Sequence, residues 1–439
     1  MRHRLGVALG VALFGISCSA LALTDTETNA SIPFNLATPG ARSMGMGGAF
    51  LGLADDATAA YSNPAGLTQL VSPEISVEAR HTEYSIPYVN SGSVSLSPFD
   101  GSGLNTANAD SSRNNLSFLS AVLPHDRWSF AFYRDELVRF NDNFSSGDSA
   151  GGGVLIGDLF ETYPVSARAN LKIVDYGVSA AWKAGDNISL GAGLSYYDFN
   201  IDTLVTRRTF EGAIDGVAAG TPLNQQSQKG SDNDVGLNLG ARIIFNDQLS
   251  AGLVYRRGPS FTYRAQSVLL PLFSGDETVV ASDLTNVRFK IPDQFGAGLS
   301  WHPSDALVVN FDADYIEYSQ LTRGIQSLFG SDVSTVSKLS INNGTELHLG
   351  AEYTFVQFQH PFSLRAGVWH DPRHSIQFEG DPGTDLQPTA LAALFAGGKG
   401  SQTHASVGAG FAFKKFQIDA AADFSDLTDV VSVSAVYRF

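Results

Sequence analysis

The chain ends on a strand-like pattern. From Val431 to Phe439 apolar residues hold the odd positions and mostly small or polar residues the even ones, which is the two-residue period of an amphipathic β-strand closing on an aromatic. The same period recurs upstream. Fourteen segments carry it, at about 74–86, 115–123, 127–138, 170–184, 187–201, 234–245, 248–264, 287–301, 306–318, 346–356, 362–370, 403–413, 415–424 and 430–439. In one of them Ile188, Leu190 and Leu194 oppose Ser189, Gly191 and Gly193. In another, Phe416, Ile418, Ala420, Ala422 and Phe424 oppose Gln417, Asp419 and Asp423. A third sets Leu307, Val309, Phe311, Ala313 and Tyr315 against Asn310, Asp312 and Asp314.

The connections alternate in length. Short ones with Asn, Asp, Gly or Pro turn chemistry fall at Pro124–Arg127, Ala184–Asn187, Asn246–Gln248, His302–Asp305 and around Gln359–Pro361, and Lys414-Lys415 makes a sixth. Long ones rich in Ser, Asp, Asn and Gly lie near 87–114, 139–169, 202–233, 265–286, 319–345 and 371–402, and only Ser425–Asp429 breaks the rhythm. Short turns at one end, long loops at the other and an even strand count are the expected form of a bacterial outer-membrane β-barrel with both termini in the periplasm. The carboxylates at 312, 314, 419 and 423 then belong in the lumen, because a charge facing lipid is costly. A large secreted β-sandwich or β-helix would share the alternation.

The beginning of the chain and its composition narrow the choice. Arg2 and Arg4 precede an apolar run, Leu5 to Ile16, and a small-residue site at Ala20-Leu21-Ala22, which together read as a secretory signal peptide over 1–22. Its removal takes away the only cysteine, Cys18; a lipoprotein reading of Gly15-Ile16-Ser17-Cys18 has Gly where a lipobox wants a larger residue. Charged residues make up 16% of the chain, against about 25% in soluble domains. No apolar run beyond the leader reaches the roughly 20 residues of a spanning helix. Strands between lipid and a polar lumen are the remaining membrane solution. The net charge of −16 argues against nucleic acid and is compatible with divalent-cation bridging near anionic surface glycolipid.

Residues 23–72 do not follow the strand rhythm. They contain Gly40-Ala41-Arg42-Ser43-Met44-Gly45-Met46-Gly47-Gly48-Ala49-Phe50, then Ala54-Asp55-Asp56-Ala57, then Asn63-Pro64-Ala65-Gly66-Leu67. Glycine at this density permits tight turns and close packing, and Asn63-Pro64 favours a turn. The segment is expected to form a compact plug inside the barrel of residues 73–439, with a periplasmic tail as the alternative. This order of motifs resembles the FadL-type family of outer-membrane long-chain fatty acid and hydrocarbon transporters. Two further stretches are similar: Ile291-Pro292-Asp293-Gln294-Phe295-Gly296-Ala297-Gly298 with Trp301 and Tyr315 to Leu321, and, more faintly, Leu364-Arg365-Ala366-Gly367 with Asp371-Pro372.

The resemblance implies an all-β transmembrane barrel of about fourteen antiparallel strands with an N-terminal hatch. It implies hatch residues Gly45, Gly47, Gly48, Asp55, Asp56, Asn63, Pro64 and Ala65, with the Asn-Pro-Ala motif near a lateral exit that a kinked third strand opens. Here the third strand, Arg127 to Val138, has no glycine, and Arg134-Asp135-Glu136 interrupts its apolar character. Related barrels also serve as carriers for surface proteins, so the cargo stays open among fatty acids, aromatic hydrocarbons and protein partners.

Apolar patches in the long connections are candidate ligand contacts: Val268, Leu269, Leu272 and Phe273 in one, Leu328 and Phe329 in another, Leu394 and Phe395 in a third. Each buried methylene would contribute about 0.8 kcal/mol to holding an acyl chain; the same residues would serve equally as loop cores. Arg256-Arg257 and Arg207-Arg208 have the chemistry to pair with a carboxylate or to neutralise lumen acids. An enzymatic reading is poorly supported. The densest histidine cluster, His370-Asp371-Pro372-Arg373-His374, lacks a third ligand for a metal.

The expectation is passive uptake of hydrophobic compounds, most plausibly long-chain fatty acids, with no cofactor, no metal and no catalytic step. Its partners would be hydrophobic small molecules, outer-membrane lipids and surface glycolipid, and the barrel assembly machinery, with no nucleic acid.

Overall fold

The computed structural model describes residues 36–96, 103–145, 153–156, 159–211, 216–270, 281–322, 338–381, 385–396 and 400–439. The leader, and Leu272, Phe273, Leu328 and Phe329, lie outside the described residues. The barrel strands are β1 (Glu74–Ser95), β2 (Gly103–His125), β3 (Trp128–Ser145), β4 (Val165–Lys183), β5 (Ile188–Arg208) and β6 (Pro222–Asn246). β7 runs as Leu249–Arg257 and, past Gly258-Pro259, as Ser260–Leu269; β8 runs as Ala281–Lys290 and, past Ile291-Pro292-Asp293, as Gln294–Ser304. Then follow β9 (Leu307–Ile316), β10 (Gly344–Phe355), β11 (Phe362–Asp371), β12 (Gln402–Ala412), β13 (Phe416–Phe424) and β14 (Thr428–Arg438).

Each strand pairs antiparallel with the next, and β14 pairs back to β1 from Glu74↔Arg438 to Tyr84↔Thr428, closing a fourteen-stranded barrel. Around the end near the termini, closure leaves no sheet edge. Arg438 Nε donates to Glu74 Oε1 at 2.8 Å across the join.

Side chains divide as the pattern predicts. Phe311, Tyr315, Phe416, Ile418, Val431 and Val433 are exposed on the outer surface, whereas Asn310, Asp312, Asp419 and Asp423 are buried toward the lumen. Apolar outside and polar inside is the inverse of a soluble barrel and suits a lipid solvent.

The strands exceed their expected length at the end away from the termini. Residues 87–95, 103–114 and 222–233, expected as loop, continue β1, β2 and β6. Beyond the lipid both faces are wet, so a stretch such as Asn105-Thr106-Ala107-Asn108-Ala109-Asp110 has no apolar face to reveal its period. The connection expected over 371–402 contains an 11-residue helix, Leu386–Ala396, whose Ala390, Leu391, Leu394 and Phe395 are buried.

Among the described residues, two large apolar clusters fill much of the lumen. Near the termini, Met46, Phe50, Leu53, Tyr61 and Leu67 of the N-terminal segment pack on Phe118, Val122 and Tyr133 of β2 and β3. At the far end Phe140, Ile173, Phe199, Phe261 and Phe289 meet Leu391, Leu394 and Phe395 of the helix. Phe199 and Phe261 stack with centroids 4.6 Å apart.

Candidate functional site

The N-terminal segment is folded inside the barrel and touches nearly its whole circumference. It forms α1 (Ala41–Met44), α2 (Ala59–Ser62) and a 3-10 turn, Pro64–Gln69. Such short helices are not stable alone, and the wall supplies their missing hydrogen bonds. Ser434 on β14 accepts from the Ala41 N–H, and Ser406 on β12 from the Gly47 N–H. Asp312 on β9 takes the N–H groups of Phe50 and Leu51 on one oxygen, at 2.5 and 2.8 Å. In the other direction Ser120, Ser179, Asn238 and Ser250 donate to plug carbonyls. A carboxylate accepting two backbone donors is a charge-assisted anchor.

Strand glycines make this approach possible. A Cβ on Gly191, Gly240, Gly252, Gly350 or Gly367 would overlap atoms of the plug. The plug's own Gly47 and Gly48 adopt φ of +65° and +80°, where a side chain is strained. Asn63 is fully buried and works at three points: its amide donates to the Leu51 and Ala241 carbonyls at 3.0 and 3.2 Å, and its Oδ1 caps the 3-10 turn through the Ala65 N–H. Pro64 occupies the first position of that turn, where its missing N–H costs nothing.

An ionic network ties the plug to β10, β11 and β13. Arg42 reaches Asp55 at 2.5 Å and Glu352 at 2.8 Å; Glu352 also meets Arg365 at 2.5 Å, and Arg365 meets Asp419 at 2.8 Å. Asp56 caps the following turn through the Thr58 N–H and hydroxyl. Burial raises the Asp56 carboxyl above the ordinary carboxylate range, with the Arg42 guanidinium opposing the rise.

The structure thus places all eight hatch-motif residues in the plug. Arg42, Asp312, Glu352, Arg365 and the wall glycines were missed as site residues. Inward parity on a strand is the signal that could have found Asp312, Glu352, Arg365 and the glycines; Arg42 lies in the plug, within its glycine-rich motif.

Of the apolar loop candidates, Leu394 and Phe395 are buried in the far-end cluster, and Val268 is half-buried near the end of β7. Leu269 is the last residue of that strand. Arg256 does not face an open site. It donates to Gln294 and to the Tyr61 and Ser62 carbonyls and lies over the Tyr61 ring at 4.1 Å. Arg207 is buried with Asn224 and Gln226. His374 stacks on Tyr318, with centroids 4.6 Å apart, and lies 3.4 Å from Asp371.

Between the plug and the far-end cluster lies a cavity of about 150 Å³, bordered by Thr38 and Gly48 of the plug and by Arg113, Asn115, Glu136 and His348 of the wall. On one side it reaches a break in that wall. The β2–β3 ladder stops at Phe118↔Asp135, while β1–β2 continues to Ser93↔Gly103 and β3–β4 to Ser145↔Ser166. A bulge at Leu137 shifts the β3–β4 register there. Side chains take over from the lost rungs: Asn115 Nδ2 donates to Glu136 at 3.0 Å, and Arg134 donates to the Leu116 carbonyl and pairs with Glu136 at 2.8 Å. The break coincides with Arg134-Asp135-Glu136 and the bulge, in a strand that carries no glycine.

A closed barrel with an apolar outer surface, a packed N-terminal plug and a side-chain-stitched seam defines an outer-membrane transport barrel. The chain belongs to the family described as "Outer membrane protein transport protein (OMPP1/FadL/TodX)", whose model matches residues 22–379. Among solved structures, a FadL homologue from Pseudomonas aeruginosa superposes with a TM-score of 0.65 at 16% identity, over 93% of this chain and 99% of that one. The Pseudomonas putida toluene transporter TodX gives 0.56 at 15%, over 92% and 98%. A monoaromatic hydrocarbon channel, CymD, gives 0.56 at 16%, over 93% and 99%. These likenesses establish the fold. No curated protein sequence matches the chain significantly. As a member of this family the protein is an outer-membrane barrel for the transport of hydrophobic compounds.

Proposed function

We propose that the barrel takes up long-chain fatty acids passively, with both termini in the periplasm and the helix-bearing end outside the cell. A molecule adsorbs on apolar side chains at the outer end, enters the cavity above the plug and leaves through the β2–β3 seam into the outer leaflet. No chemical step is required, and the family's transport role supports a non-enzymatic reading. The observation that carries this is the end of the β2–β3 ladder at Phe118↔Asp135 beside a lumenal cavity. A seam held by side chains opens by rotamer changes, whereas separating laddered strands would break a series of backbone hydrogen bonds, each worth about 1 kcal/mol.

The test is uptake of labelled oleate and labelled toluene by cells lacking their own outer-membrane fatty acid transporter, complemented with this chain at equal levels of folded barrel. Oleate uptake restored above toluene supports the reading. Toluene uptake alone assigns the protein to aromatic hydrocarbons, as two of the structural relatives are described. Uptake of neither turns attention to a carrier role for surface proteins.

A further inference from the structure

We propose that the outer surface of β3 to β8, just beyond the lipid-facing band, binds a phosphorylated glycolipid of the outer leaflet through a patch of basic side chains. This rests on the orientation given above, with the helix-bearing end outside the cell, and not on the cargo.

The patch follows from strand parity. On β4 the lipid-facing side chains Trp182, Val178 and Tyr176 hold even positions, and the same face continues to Lys172 and Arg168. The outward face of β6 likewise runs from Leu239 and Val235 to Lys229. Past their breaks, β7 and β8 expose Arg264 and Arg288, and β3 exposes Arg139 past its bulge. The registers gather these cations. Arg139 stands opposite Lys172, Lys229 opposite Arg264, and Arg288 opposite Thr262, two residues from Arg264. β5 fills the interval with Asn200 opposite Lys172 and Asp202 opposite Lys229.

The carboxylates nearby do not cancel the charge. Asp202 lies 3.6 Å from Arg168 and 3.8 Å from Lys229, all of them exposed, and Asp198 is the other acid on this face. Asp232 and Asp234 are spent on the Thr262 and Ser260 N–H groups, and Glu136, 3.4 Å from Arg139, already holds Arg134. Among the described residues Lys172 and Arg264 have no ion pair, and the side-chain partner of Arg288 is the Ser260 hydroxyl at 3.2 Å. Around β14, β1 and β2 the outer end instead exposes Glu83, Asp110, Asp426 and Asp429. The patch is thus a local excess of positive charge on a chain of net charge −16.

Its height selects the partner. At about 3.3 Å per residue, Lys172 and Lys229 stand roughly 13 and 20 Å along their strands from Tyr176 and Val235, and a strand tilt of about 40° puts them roughly 10–15 Å above the band. The phosphate of a simple phospholipid sits at the edge of the band. A ligand with acyl chains beside Tyr176 and Val235 and anionic groups at Lys172 and Lys229 carries its phosphates and acid sugars on a saccharide. Lys and Arg serve such groups with charge-assisted hydrogen bonds.

The test is native mass spectrometry of the full-length barrel in neutral detergent with deep-rough lipopolysaccharide, phosphatidylglycerol or phosphatidylethanolamine, with heat-modifiable gel mobility confirming the fold. The native chain is expected to prefer lipopolysaccharide to both phospholipids, and to lose much of that preference between about 50 and about 500 mM salt. The variant K172Q/K229Q/R264Q should bind lipopolysaccharide on the order of 10- to 100-fold more weakly; K183Q/K414Q/K415Q, with the same charge change at the end near the termini, should bind as the native chain does. Native protein that takes phosphatidylethanolamine equally well overturns the patch, and so does an equal loss in the two variants. Phosphatidylglycerol bound as tightly as lipopolysaccharide overturns the glycolipid assignment. Asn200→Cys, in the middle of the patch, should react with an impermeant maleimide on intact cells; reaction only after permeabilisation overturns the orientation and with it the outer-leaflet partner. Failure of oleate uptake alone leaves the patch standing.

Discussion

The Cα of Gly367 on β11 faces the backbone nitrogen of Gly47 so closely that a methyl group at Gly367 would overlap it. Plug and wall meet here backbone to backbone, with no side chain between them that could move aside.

Gly367→Ala is therefore expected to destabilise the folded barrel by about 1–3 kcal/mol, because overpacking forces main chain to shift. Gly185→Ala, in a turn with nothing within 4 Å of the new methyl, serves as the control and should be silent. Urea midpoints from gel mobility measure both. Equal midpoints would show that the plug yields at no cost.

Asp312→Ala removes the acceptor of two plug N–H groups and should loosen the plug without opening the barrel. The anchor's loss is expected to cost about 2–3 kcal/mol locally. The readout is single-channel conductance in planar bilayers, which should show brief openings that the native protein lacks. A quiet variant would mean that the remaining wall contacts hold the plug without Asp312.

The seam can be locked. With its single cysteine at position 18, the chain offers a clean background for Asn115→Cys with Glu136→Cys, two positions whose native side chains are hydrogen-bonded across the unladdered region. Oxidation, or a short bis-thiol linker, should reduce oleate uptake severalfold, and reductant should restore it. The same treatment of Val122→Cys with Ala131→Cys, partners on the intact ladder, should change nothing. Uptake indifferent to the first link would exclude the β2–β3 exit.

Phe395→Ala removes a ring buried in the far-end cluster and should release the Leu386–Ala396 helix, at a cost of about 3–5 kcal/mol to its docking. Limited proteolysis is expected to cut within 386–396 while the heat-modifiable barrel band persists. Resistance equal to the native chain would show that Leu391 and Leu394 suffice.

Much of the barrel was legible in one dimension because lipid and lumen impose opposite demands on alternate residues. Phe311 and Asp312 are neighbours in sequence with opposite fates, and the period of two alone separates them. The terminal strand, the near-end turns and the plug's glycine-rich motifs were equally local signals. The lengths of β1, β2 and β6 beyond the lipid were not, since Asn105 to Asp110 has water on both sides and no period to declare.

Tertiary structure alone decided the relations among distant positions. Nothing near Gly350, Gly367 or Gly252 announces that each lies under the plug, because the plug atoms come from about residue 50. Arg256 and Arg113 are both arginines on inward-facing strand positions. Closure of the barrel gives Arg256 the Tyr61 ring and carbonyl and sets Arg113 over the Tyr84 ring. The sequence by itself determined that the chain would form a lipid-facing barrel around a plug, since that follows from local alternation and backbone hydrogen bonding. Which charges meet and where the wall opens depend on contacts between residues hundreds of positions apart, and only the closed fold brings those together.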